Sequence, residues 1–202
     1  RIVAAARRML GPTRSELRID LLGRFRVAAG ETTINEAAWR LRKARGLVKL
    51  LALHPGHSLH REQAIEALWP DSDPAAASNY LRQALFVARR ALDSCGENGA
   101  ARILLAHDLV TLVSDRLWVD VEAFEAAAAE AERAPSVARH RAAIEIYGGE
   151  LLPEDRFDEW ATSRREALRE RHLALLVDLA RLHEEADDWA AAVTGLQRAL
   201  LG

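Results

Sequence analysis

The 202-residue sequence predicts an α+β domain followed by an all-α domain. Three observations carry that expectation. Short apolar runs, three helical patterns and a second pair of short apolar runs succeed one another up to residue 119. From residue 120 onward only helical periodicity remains. The charge changes sign at the same place: residues 1–119 hold 18 Lys/Arg against 12 Asp/Glu, and residues 120–202 hold 10 against 18. A net charge of −2 for the whole chain therefore conceals a basic half beside an acidic one. Only the first half has the sign of a surface that meets a polyanion. Ordinary variation between domains would also produce an excess of this size.

Residues 1–16 read as a lead-in segment. Leu17-Arg-Ile-Asp-Leu-Leu and Phe25-Arg-Val-Ala-Ala read as strands punctuated by Gly23 and Gly30, with a third short strand at Thr32-Thr33-Ile34. A helix from Ala44 to Leu53 is entered through Arg40, Arg42, Lys43 and Arg45, and Pro55-Gly56 stops it. Ser58-Leu59-His60 is a brief extended piece. Arg61 to Leu68 is a second helix, ended by Trp69-Pro70, with a loop over Asp71 to Pro74. The third helical pattern closes at Leu92. After the turn-rich residues 95–100, Ile103-Leu-Leu-Ala and Leu109-Val-Thr-Leu-Val flank His107-Asp108 as a β-hairpin. Sheet, three helices and hairpin is the element order of a winged helix-turn-helix.

The third helix is the most informative part. At about 100° per helical residue, Leu81, Leu85, Ala88 and Leu92 fall within roughly 60° of one direction and form a buried seam. Asn79, Gln83, Phe86 and Arg90 face the opposite way, with Arg82 and Arg89 on the flank. Arg can fork onto guanine and Asn or Gln onto adenine in a major groove wide enough for a helix, and Phe86 could touch a thymine methyl. These properties make Asn79, Arg82, Gln83, Phe86 and Arg90 the candidate base readers. The competing reading is a solvated amphipathic helix with Phe86 packed on a neighbour. Candidate phosphate contacts are Arg42, Lys43, Arg45, His60, Arg61 and Arg89, with Arg102 and His107 on the hairpin. His60 and Arg61 open the second helix, where backbone N–H groups favour a phosphate oxygen.

Leu21-Leu-Gly23, Arg42-Lys-Ala-Arg45, Leu68-Trp-Pro-Asp71 and Asn79 to Leu92 together resemble a known pattern. Residues 17–119 resemble the OmpR/PhoB-type winged-helix DNA-binding domain in the variant found in the Streptomyces antibiotic regulatory proteins (SARPs). In that family a helical-repeat bacterial transcriptional activator domain follows, and residues 120–202 fit it. The resemblance implies a transcriptional activator in the cytoplasm. It would bind directly repeated half-sites on double-stranded DNA, in a head-to-tail arrangement, and contact RNA polymerase holoenzyme. One winged helix reads too few base pairs to select a promoter, so a homodimer on DNA is expected, held by the acidic half.

The second half reads as helices over Asp120 to Arg133 and Val137 to Tyr147, broken by Pro135-Ser136 and ended by Gly148-Gly149. Leu151-Leu-Pro153 is a connector. Asp158 or Glu159 opens a long helix to about Ala186, and Asp188 to Leu201 forms the next. The Leu and Ala spacing from Leu179 to Leu200, with Ala186-Asp-Asp-Trp189 between, looks like a tetratricopeptide (TPR) helix pair, with a partial echo at Arg141 to Tyr147. Such repeats need neighbours to bury a continuous core, so the 120–202 domain is expected to be truncated, with an open edge after Gly202.

Other classes find little support. There is no phosphate-binding Gly-x-x-x-x-Gly-Lys loop and no Gly-x-Gly-x-x-Gly after a strand. No Ser/His/Asp arrangement points to an enzyme, and no cofactor is implied. His54, His57 and His60 are spaced like ligands, but Pro55-Gly56 breaks the helix that would align them and no Cys lies nearby, so no metal site is assigned. Glu154, Asp155, Asp158 and Glu159 are explained by the dipole of a helix start. One cysteine, Cys95, forbids an internal disulfide framework, and no apolar run approaches the roughly 18 residues of a membrane span. The alternative function is a protein-interaction scaffold whose repeats bind a partner and whose winged helix no longer reads DNA.

Overall fold

A computed structural model of the chain describes residues 16–94, 102–114 and 116–201. Residues 1–15 of the lead-in and the gap at 95–100 lie outside the described residues. Strands β1 (Leu17–Asp20), β2 (Arg26–Ala29) and β3 (Thr32–Thr33) come first. Helix α1 (Arg42–Leu53), strand β4 (Ser58–His60) and helices α2 (Arg61–Leu68) and α3 (Pro74–Asp93) follow. Strands β5 (Arg102–Ala106), β6 (Leu109–Val113) and β7 (Leu117–Val119) precede four helices: α4 (Asp120–Arg133), α5 (Val137–Ile146), α6 (Thr162–Glu185) and α7 (Trp189–Leu201). One sheet has the strand order β3-β2-β1-β7 and the other the order β4-β6-β5.

The chain forms two compact units. The first holds residues up to Arg18 together with Val27–Leu117; the second holds Ile19–Arg26 and the chain from Trp118 onward. In the first unit α1 packs along α3 and onto β6, while α2 touches both α1 and α3. Ala44, Leu47, Val48 and Leu51 of α1, Leu68 of α2, and Ile103, Val110 and Leu112 of the hairpin are buried. Gly46 permits the α1–α2 approach: a Cβ there would lie 3.0 Å from Leu68 Cδ2.

Helix α3 buries the expected seam, with Leu81, Leu85, Ala88 and Leu92 at most 3% exposed. Each buried leucine contributes about 1.5–3 kcal/mol. One expectation is corrected at its start. Pro74 is the first residue of the helix rather than the last of a loop. Asp73 caps it, its Oδ2 accepting from the N–H groups of Ala75 and Ala76 at 3.1 and 3.3 Å. A proline fits there because the first helical N–H has no intrahelical acceptor to lose.

In the second unit α4 packs on α5, α5 on α6 and α6 on α7. Arg164 pairs with Glu125 at 2.6 Å, and Arg171 with Glu132 at 2.9 Å. Both pairs span 39 residues of sequence, so α4 and α6 run parallel in constant register, as the leading helices of successive repeats do. Ala180 faces Gly195 across the α6–α7 contact, where an added Cβ would sit 3.6 Å from the Ala180 Cβ. The long helix starts later than expected: a 3-10 turn over Glu159–Ala161 precedes α6, which opens at Thr162.

The Leu21-Leu22-Gly23 segment is tied into this helical unit. Leu22 bridges Leu151, Gly23 N–H donates to the Glu150 carbonyl at 2.9 Å, and Leu152 N–H donates to the Leu21 carbonyl at 2.9 Å. Gly23 has φ of 80°, and a Cβ there would lie 2.7 Å from the Gly148 carbonyl oxygen. The buried Asp120 carboxylate accepts from the N–H groups of Leu21, Leu22 and Val121 at 2.7–2.8 Å. Burial pushes this carboxyl above the usual aspartate range; the backbone donors pull it back, and nearby Asp20 raises it further. On the other side of the connector, buried Arg165 donates from Nε to the Leu151 carbonyl at 2.9 Å and from its terminal nitrogen to the Asp155 carbonyl at 3.2 Å.

Candidate nucleic-acid interface

The outward face of α3 is built by its inward one. With the seam fixed against α1 and the hairpin, the 3.6-residue period leaves Asn79, Arg82, Gln83, Phe86, Arg89 and Arg90 exposed. Arg82 donates to Asn79 Oδ1 at 3.1 Å. The Arg90 guanidinium stands over the Phe86 ring at 5.8 Å, and Phe86 itself is 60% exposed. Neither contact neutralises the arginine charge. Tyr80, also exposed, leans on Trp69 with ring centroids 6.2 Å apart. The sequence reading had no role for Tyr80, although its place beside Asn79 on the exposed side was available.

Arg42 is exposed at the first position of α1, and Lys43 follows it half-buried. His107 is exposed at the hairpin tip, where it and Asp108 both have positive φ, 50° and 61°. Arg102 opens β5, and its side chain lies outside what the structure describes. Arg45, His60, Arg61 and Arg89 make named contacts within the protein. Arg45 pairs with Glu36 at 2.8 Å. His60 caps α2, its Nδ1 accepting from Glu62 N–H at 3.4 Å, while Gln63 Oε1 accepts from the His60 N–H at 2.9 Å. Arg61 reaches Ser78 Oγ at 3.1 Å and Asp108 Oδ1 at 3.5 Å. Arg89 donates from Nε to the Ile103 carbonyl at 2.7 Å, bracing α3 against β5.

The features set aside in the sequence also have places. Among the described residues no group of three or more His, Cys, Asp or Glu could hold a metal ion. No described helix is long and apolar enough to cross a membrane. The acidic group at 154–159 lies at helix starts, as expected: Glu154 and Asp155 in the first turn of a 3-10 turn at Pro153–Asp155, and Glu159 in that of the next at Glu159–Ala161. Glu154 also accepts from Phe25 N–H at 3.1 Å, and the Asp155 backbone carbonyl accepts from Arg165.

Three helices with a β-hairpin in one unit and packed helices in the other define the class of a winged helix-turn-helix chain with a helical unit. No family model and no curated protein matches the sequence. Among solved structures it is similar to Mycobacterium tuberculosis EmbR, determined in complex with a low-affinity phosphopeptide, at a TM-score of 0.62 and 18% identity. The match covers 92% of this chain and 59% of EmbR, so the chain spans less than two thirds of that protein. At this identity the likeness establishes a shared fold.

Proposed function

We propose that the chain is a sequence-specific DNA-binding regulator of transcription of the SARP type, with residues 17–119 as its DNA-binding domain and residues 120–202 as its activator domain. One observation carries the reading: α3 buries one face completely and leaves Asn79, Arg82, Gln83, Phe86 and Arg90 together on the other. Those are the side chains that recognise base edges by paired hydrogen bonds and methyl contact. Arg42, Lys43 and His107 supply phosphate contacts around the helix. The resemblance in sequence motifs adds activation, the cytoplasm as the place of action and RNA polymerase as a partner, and the fold shared with EmbR supports the same class.

Two copies bind, joined through the acidic helical half and arranged head to tail on direct repeats. Equivalent major-groove faces recur about every 10–10.5 base pairs. Inserting five base pairs between half-sites should therefore abolish cooperative binding by the full chain. An inverted repeat in the footprint, or one half-site bound as tightly as two, would refute the arrangement.

A second reading, a partner-binding scaffold, is favoured by one feature of α7. Trp189, Val193, Leu196 and Leu200 are exposed at helical spacing along one face, at 39–86%. Binding of the full chain to mixed-sequence duplex at low salt separates the readings: a scaffold retired from DNA shows none.

A further inference from the structure

The hairpin tip is a tight turn of unusual composition. A two-residue turn with both φ angles positive normally takes Asn-Gly or Asp-Gly, because most side chains are strained there. Here it is His107-Asp108, with no glycine. Something must hold that turn, and Arg61 is the group placed to do so.

Arg61 reaches the turn in two ways and α3 in a third. The β4–β6 ladder ends with His60 opposite Leu109, which brings the next residue, Arg61, beside Asp108. Its backbone N–H donates to the Asp108 carbonyl at 2.7 Å. One arm of its guanidinium lies 3.5 Å from Asp108 Oδ1. The other arm donates to Ser78 Oγ at 3.1 Å, and that hydroxyl donates onward to the Pro74 carbonyl at 3.0 Å. Ser78 and Pro74 belong to the first turns of α3, immediately before Asn79. The planar fork thus joins the hairpin tip to the start of the reading helix, with a fixed geometry that a lysine ammonium does not reproduce.

We infer that Arg61 is a positioning residue: it clamps the His107–Asp108 wing tip to the N-terminal turn of α3 through Asp108 and Ser78, so that wing and helix meet DNA as one body. The inference rests on the DNA-binding reading and sharpens it. It moves Arg61 from the phosphate contacts to the frame that aims them. It also gives Asp108, an acidic residue on a surface that faces a polyanion, a reason to be there.

The sign of one substitution separates the alternatives. If charge alone mattered, Asp108→Asn would tighten DNA binding by removing a repulsive carboxylate. With the clamp, Asp108→Asn loosens the tip and weakens binding about three- to fivefold, the scale of an exposed ion pair. Arg61→Ala should weaken binding similarly, and the double variant should be no weaker than Arg61→Ala alone. Arg61→Lys should behave like Arg61→Ala, whereas a phosphate contact would survive a lysine.

The experiment uses the full chain, mixed-sequence duplex and a DNA-free readout, amide hydrogen exchange at Arg61. Faster exchange there in both Asp108→Asn and Arg61→Lys, with weaker duplex binding, is the expected result. Unchanged exchange, or tighter binding by Asp108→Asn, overturns the clamp. If the wild-type chain binds no duplex at low salt, the DNA reading fails and the positioning role falls with it. The exchange data then still report whether the turn is held by Arg61.

Discussion

The helical unit and the outer face of α3 treat their arginines in opposite ways. In the helical unit they are consumed internally. Arg164 and Arg171 pair with Glu125 and Glu132 across α4 and α6, Arg139 and Arg133 pair with Glu130, and Arg165 is buried on backbone carbonyls. On the outer face of α3, Arg82 and Arg90 rest on an asparagine and a phenylalanine of their own helix and keep their charge. A cation already neutralised has little to offer a phosphate; one resting on an amide or a ring has all of it. Net charge distinguishes the halves only modestly; the partners of Arg82 and Arg90 set the outer face of α3 apart from the paired arginines of the helical unit.

The comparison breaks most severely if the seam beneath α3 is destroyed. Leu85→Asp buries an unpaired carboxylate where Leu85 is 3% exposed. A loss of about 4 kcal/mol or more is expected, enough to unfold the first unit. Thermal unfolding should then show one transition fewer than the wild-type chain, with the helical unit retained.

Next in size are the positions that fasten Leu21-Leu22-Gly23 to the helical unit. Gly23→Ala meets both the positive φ and the Gly148 carbonyl at 2.7 Å, and should cost at least about 1–3 kcal/mol. Arg165→Ala removes two charge-assisted hydrogen bonds at about 1.5–3 kcal/mol each. Both should lower the denaturation midpoint of the helical unit. If they instead lower only that of the first unit, the grouping of Ile19–Arg26 with the helices is wrong.

The smallest effect is a pH dependence confined to the second unit. Burial lowers the His172 pKa below its ordinary 6.5. The ring stacks on Tyr147 with centroids 4.0 Å apart, and its Nδ1 is buried without a hydrogen bond. Between the folded pKa and about 6.5 the unfolded chain binds more protons, so stability rises with pH there. The contribution is whole above the unfolded pKa and is lost as pH falls through the folded one. A denaturation midpoint that declines over that window in the wild type, and declines less in His172→Gln, is the expected pattern.

Local regularity made the exposed face of α3 legible. A 100° wheel drawn from the sequence places the same residues inside and outside as the structure does, because one buried seam dictates the whole helix. The hairpin and most helix limits were legible from breakers such as Pro55-Gly56 and Pro135-Ser136. What escaped was non-local. Asp120 meets Leu21 and Leu22 across 99 and 98 residues, and no periodicity marks such a contact. Gly23 reads as turn punctuation until Gly148 is placed against it. Arg165 did carry a signal, since it falls in the buried stripe with Ala161 and Leu168. Arg61 and Arg89 were read as outward cations, whereas their forks turn to Asp108, Ser78 and the Ile103 carbonyl. For Arg89 the wheel gave a hint, placing it on the flank beside the seam.

The central claim, that the cations of α3 serve DNA and those of the helical unit serve the fold, has one direct test. The full chain is titrated with duplex DNA over a range of salt, comparing wild type, Arg82→Ala/Arg90→Ala and Arg164→Ala/Arg171→Ala. Wild-type binding should weaken steeply with salt. The first pair should lose about tenfold or more in affinity, as expected for lost base or phosphate contacts. The second pair should stay within about twofold of wild type, since exposed ion pairs contribute little. No duplex binding at low salt, or equal losses from both pairs, would contradict the claim.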